Sequence, residues 1–355
     1  MFALSTRYVV YRLGSDRPNN DELAYCELAG SIASGEGLTR AGVAETHIHP
    51  LFPMLQAVPV AVGADVGSAG RWVGLVSSAA AAPASVWLVW GVLGCLRRQA
   101  RGADRLVGWV AGLLVCVHPR LLVTAERIQP VGLAAVLLIL FVACWVRKSW
   151  WNMALVASLG FLARPELAIL LPAGLLVILL DDRRAWRRMA GPALLALALS
   201  APWLLHLKAA TGEWALTGKV RWTYAMARLE GEESVLSAKD VAAAEETMGR
   251  IGAHVLEDPM AATAGYFGRL VEAVGHIARA LYLPLFALAG LGLWLLRRSS
   301  AGGPILVALS PVMLLPLGAV QARHALVWTP FLLAVAVAGL SFEIQRRSAA
   351  RIGSS

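Results

Sequence analysis

The sequence predicts an all-α polytopic membrane protein with about nine transmembrane helices. Three observations carry that expectation. Of 355 residues, 58% are apolar and only 15% are charged, too few charges to cover a soluble surface. Apolar runs of about 20 residues recur, each long enough to cross a hydrocarbon core of roughly 30 Å as a helix. The runs are solidly apolar and rich in Leu and Ala, without the alternation of a membrane β-barrel.

The spans are expected at 70–96, 105–124, 128–147, 149–163, 166–181, 188–208, 276–296, 303–320 and 324–342. The net charge of +9 does not point to nucleic acid, because the cations sit in short clusters between apolar runs. Those clusters are Arg97, Arg98, Arg101 and Arg105; Arg147 and Lys148; Arg183, Arg184, Arg187 and Arg188; Arg297 and Arg298; and the tail with Arg346, Arg347 and Arg351. With nine spans all of them fall on one side, which the positive-inside rule makes cytoplasmic. The chain then divides into an outer first loop with juxtamembrane helices (1–69), a transmembrane bundle (70–208), an outer helical loop (209–275), C-terminal transmembrane helices (276–342) and a cytoplasmic tail (343–355). This parity leaves the N-terminus outside with no segment to carry it there. Met1 is therefore expected to lie inside or just after an original first span. Residues 1–14 show no clean apolar core of a cleavable signal. Cys26, Cys95, Cys116 and Cys144 make neither a disulfide framework nor a zinc motif.

Within 209–275, Ser237 to Asp240 can cap a helix that repeats Val241, Ala244, Met248, Ile251 and Val255, and Asp258-Pro259 reads as a second helix start. The pair could be a lid over a site or a plain packing hairpin.

Five constellations could carry chemistry, all on the outer side. Asp21 and Glu22 are adjacent, so on a helix only one can face a given site while the other caps or solvates the start. His47 and His49 project to the same side in extended chain and, with Asp21, could bind a divalent metal or donate to a phosphate; they could equally be loop histidines. Arg164 and Glu166 flank a proline at membrane depth, where charges pair or line a watery cavity, so they either satisfy each other or meet an anionic ligand. Thr211 to Trp222 places Lys219 and Arg221 among indoles, fit for a lipid phosphate and a sugar or for anchoring at the interface. Arg323 and His324 break the positive-inside trend; a phosphate ligand explains them, as does snorkelling.

These residues, taken in order, resemble the GT-C membrane glycosyltransferases: the protein O-mannosyltransferase and aminoarabinose-transferase superfamily. Asp21-Glu22-x-x-Tyr25 and His49-Pro50-Leu51-Phe52-Pro53 look like the family's acidic first-loop motif and its Pro-rich helix start. Gly160 to Glu166, Thr211 to Lys219, and Arg323-His324 with Pro330 look like three later elements. The sequence departs from the family in lacking the first span, in His324 where Tyr is usual, in His49 where Pro or Lys is frequent, and in lacking a large C-terminal soluble domain.

The resemblance implies an inverting glycosyltransferase. It would move a sugar from a polyprenyl-phosphate donor to a lipid, glycan or protein acceptor on the non-cytoplasmic face of a bacterial inner membrane. Asp21, with Glu22 beside it, would be the general base or would help hold a divalent cation with His47 and His49. His49, Arg164, Glu166, Lys219, Arg221, Arg323 and His324 would line the substrate site; no nucleotide cofactor is implied. The alternatives are a transporter or flippase of lipid-linked sugar, or a non-catalytic relative. No inverted repeat supports the transporter reading.

Overall fold

The structure is a computed structural model that describes residues 5, 20–96, 102–125, 127–218, 259–317 and 325–352. Lys219, Arg221, Arg323 and His324 lie outside the described residues, as does the helix expected from Asp240 to Val255.

The described chain is helical, as the composition requires. Helices α1 (Asn20–Ala33) and α2 (Leu51–Ala61) precede the long α3 (Val66–Leu96). Then come α4 (Gly102–Val117), α5 (Pro119–Thr124), α6 (Val131–Val146), α7 (Trp150–Ala163), α8 (Leu170–Asp181) and α9 (Trp186–Thr211). The C-terminal part holds α10 (Pro259–Leu281), α11 (Leu283–Leu296), α12 (Gly302–Leu309) and α13 (Thr329–Ile352). Short 3-10 turns, Pro165–Ile169 and Ser310–Leu317, lead into α8 and follow α12. The one departure from all-α among the described residues is a hairpin, β1 (Thr39–Arg40) paired antiparallel with β2 (Val43–Ala44). Its two-residue turn, Ala41-Gly42, has positive φ at both positions (50° and 76°), the twist that a tight hairpin demands.

Among the described residues, α3 and α9 are each long and apolar enough to cross a membrane alone. Thr263–Leu281 and Leu283–Leu296 meet the same test together but are bent by 111°. The continuous span expected at 276–296 is therefore broken: Tyr282 takes φ 63°, and Pro284 follows within the first turn of α11. The span expected at 105–124 is likewise interrupted, because Pro119 opens α5 and leaves His118 extended between two helices.

The surface fits a lipid solvent. Along α4, Leu106, Trp109, Leu113 and Val117 are exposed at helical spacing, and Leu194, Leu197 and Leu205 are exposed on α9. Such stripes would be a liability in water and are ordinary against acyl chains. The main core is built where α3 packs on α4 and α6, and α13 on α3, α4 and α11. A smaller cluster of Phe161, Trp203 and Leu207 joins α7 to α9. Along α3 the two ends of the bundle are distinct. The Arg127 carbonyl lies against Gly74 at one end, and the Arg147 guanidinium stacks over Trp87 at 4.0 Å toward the other.

Candidate functional site

Helix α1 turns its first-loop carboxylates apart, as adjacency on a helix requires. Glu22 is buried and pairs with the Arg127 guanidinium at 3.5 Å, whereas Asp21 is exposed. Tyr25 meets Phe52 edge-on at 5.3 Å, so the segment bearing Asp21 is packed onto α2. Arg127 was not singled out from sequence. Its signal is a cation in the short turn before α6, on the side expected to be outer.

The hairpin delivers Glu45, the residue that sequence reasoning missed. The backbone N–H of Glu45 donates to Leu38 O at 2.9 Å, which extends the β1–β2 pairing by one bond. The Glu45 side chain is 3% exposed. It accepts from the His47 N–H at 2.7 Å and the Ile48 N–H at 3.3 Å, and meets Arg40 at 3.2 Å. Burial alone would push this carboxyl up. The His47 hydrogen bonds and the Arg40 charge outweigh burial and hold it at about 2. Glu45 is thus a local anchor that fixes the start of the Thr46–Pro50 segment.

The two histidines do not act as a pair. His49 is buried, and its Nδ1–H donates to Phe161 O at 2.6 Å. Its ring lies 5.4 Å from Phe161 and 5.3 Å from Trp203. His47 is 45% exposed and sits 3.4 Å from Glu45. The expected metal set of Asp21, His47 and His49 is not assembled, and among the described residues no group of three His, Cys, Asp or Glu could hold a metal ion. The physical reason lies in these partners: His49 is committed inward to a carbonyl on α7, and His47 outward to Glu45.

His49 nevertheless collects several of the expected elements. Phe161 stands one turn before Arg164, where α7 ends because Pro165 follows. Arg164 Nε meets Glu166 Oε1 at 2.5 Å, and both side chains are about nine-tenths buried, so the two form a buried ion pair. On α9, His206 stacks on Trp203 and donates from Nε2 to the Glu45 carbonyl at 2.8 Å. The Trp203 Nε1–H is buried and has no acceptor among the described residues. The Thr211–Gly218 stretch returns to the same place: the Gly218 N–H donates to Thr46 O at 2.9 Å. Only glycine fits there, since a Cβ would lie 2.6 Å from Thr46 Oγ1. The structure therefore gathers Glu45, His49, Phe161, Trp203, His206 and Gly218 at one end of the bundle, next to the Arg164–Glu166 turn.

The backbone trace has a counterpart among solved structures. It superposes on the archaeal oligosaccharyltransferase AglB from Archaeoglobus fulgidus with a TM-score of 0.55, covering 99% of this chain at 12% identity. This is the GT-C fold. The chain spans about half the length of that AglB chain, 51% of it. AglB was captured with an inhibitory peptide and a dolichol-phosphate. Two structures of ArnT from Cupriavidus metallidurans also align. The apo form has a TM-score of 0.44 at 15% identity, over 95% of this chain and 76% of that one. The form bound to undecaprenyl phosphate has 0.46 at 14% identity, over 93% and 77%. No protein-family model and no curated sequence matches the chain. The GT-C resemblance read from five motifs is thus supported by the fold.

Proposed function

We propose that this GT-C chain is an inverting glycosyltransferase that moves a sugar from a polyprenyl-phosphate donor to a lipid, glycan or protein acceptor on the non-cytoplasmic face. One observation carries the reading: over a GT-C backbone, the His49 segment, the Arg164 turn and the Gly218 segment converge at one end of the bundle. These are the elements the sequence selected for chemistry. That AglB holds a dolichol-phosphate supports a lipid-phosphate donor here.

In this reading Asp21 is the general base. Its neighbour Glu22 is buried against Arg127, whereas Asp21 is exposed at the start of α1. A carboxylate must reach the acceptor hydroxyl to take its proton as the sugar bond forms. The departing lipid phosphate needs cations or N–H donors. By the sequence reading, Lys219, which follows directly on Gly218, with Arg221, Arg323 and His324 would supply them. His49, the buried Trp203 N–H and the Arg164–Glu166 pair form the packed floor behind these groups in this reading.

The test is Asp21→Asn in membranes supplied with polyprenyl-linked sugar, followed by label transfer. Activity is expected to fall by about a hundredfold or more, the range for losing a positioned base. Transfer at the wild-type rate sinks the assignment.

A further inference from the structure

A second polar site lies at the opposite end of the bundle. Near the C-terminal end of α3 and the first turns of α4, a cavity of about 430 Å³ is lined by Trp90, Asp104, Arg105 and Trp109. The Trp90 and Trp109 rings meet edge-on at 6.0 Å. The Trp90 Nε1–H donates to the Arg105 carbonyl at 3.2 Å. Trp90 reaches that position only because residue 108 is glycine; a Cβ there would lie 2.2 Å from Nε1. The indole wall is thus built by a specific backbone vacancy.

Asp104 is 1% exposed yet lines the cavity. Its Oδ1 accepts from Gln345 Nε2 at 3.3 Å, across from α13. The same amide nitrogen lies 3.2 Å from Ser341 Oγ, while Gln345 Oε1 is buried with no hydrogen-bond partner among the described residues. Turning the amide over would aim Oε1 at the Asp104 carboxylate, so the acceptor stays where it is. The Asp104 carboxylate and the indole wall beside it favour a cation that carries N–H donors. Arg105, exposed beside them, favours an anion attached to that cation.

We propose that this cavity binds the headgroup of a membrane lipid in which a primary ammonium and a phosphate are joined by a short link, as in phosphatidylethanolamine. The ammonium sits against the indole wall and donates to Asp104. The phosphate meets Arg105, and the acyl chains follow the exposed Leu106–Leu113 stripe of α4. A choline headgroup has the charge but no N–H to donate, and a glycerol headgroup has neither. The site is independent of sugar transfer.

The experiment offers the purified full chain in detergent an equimolar mixture of phosphatidylethanolamine, phosphatidylcholine and phosphatidylglycerol, and counts retained lipid by native mass spectrometry. Phosphatidylethanolamine is expected to be retained about tenfold over either competitor, the scale of a charge-assisted hydrogen bond. Asp104→Asn, which keeps shape, is expected to abolish the preference. Gly108→Ala, which displaces Trp90 without changing charge, is expected to do the same. Equal retention of ethanolamine and choline lipids overturns the N–H donor argument, and a preference for the glycerol lipid overturns the ammonium site. Full selectivity in Asp104→Asn overturns the proposal even if Gly108→Ala does not fold.

Discussion

Replacing Glu45 with Gln is expected to loosen the segment that carries both histidines. In the folded chain the Glu45 carboxyl is held at about 2 against an ordinary 4.5. That depression corresponds to about 3 kcal/mol, at roughly 1.4 kcal/mol per tenfold change in proton affinity. The side chain is 3% exposed, so solvent screening takes little of this away. Because the folded pKa is depressed, the stabilisation is complete above pH 4.5 and is lost as pH falls toward 2. The reporters are the His47 and Ile48 amides, which donate to this carboxylate. At neutral pH, hydrogen exchange at these amides is expected to quicken by about a hundredfold in Glu45→Gln. In the wild type their protection should fall between pH 4.5 and 2 after correction for intrinsic rates, and in the variant it should not. Equal protection in the two proteins, or the same pH profile, refutes Glu45 as the anchor of this loop.

Two further outcomes test the site. Gly218→Ala should push residues 217–218 away from Thr46, since the new Cβ would lie 2.6 Å from Oγ1, and transfer should fall while Thr46→Gly restores part of it; an active Gly218→Ala enzyme shows that this docking is dispensable. Arg164→Met leaves Glu166 buried without its partner and should cost roughly 3–5 kcal/mol in thermal or denaturant stability, whereas Arg164→Met with Glu166→Leu should recover most of it. Wild-type donor binding in that stable double variant would limit the pair to a structural role.

The chain itself settled what one-dimensional rules can reach. Its apolar runs fixed helices in a lipid solvent, because an unpaired backbone cannot cross one. The Arg164-Pro165 break was legible because proline denies the preceding residue a helical conformation. The breaks at Pro119 and Pro284 carry the same signal and were read through, since the flanking residues stay apolar. The order of five motifs was enough to suggest the GT-C fold that the AglB superposition supports. What sequence left open was which member of each polar pair turns inward. Asp21 and Glu22 differ only in that α1 aims Glu22 at Arg127, more than a hundred residues away. His47 and His49 part because α7 offers a carbonyl to one, and the hairpin a carboxylate to the other. Partners so distant in the chain are chosen by packing, and no local spacing rule encodes them. For the same reason Glu45 went unnoticed: its importance comes from burial against Arg40 and the His47 amide, which only the folded hairpin supplies.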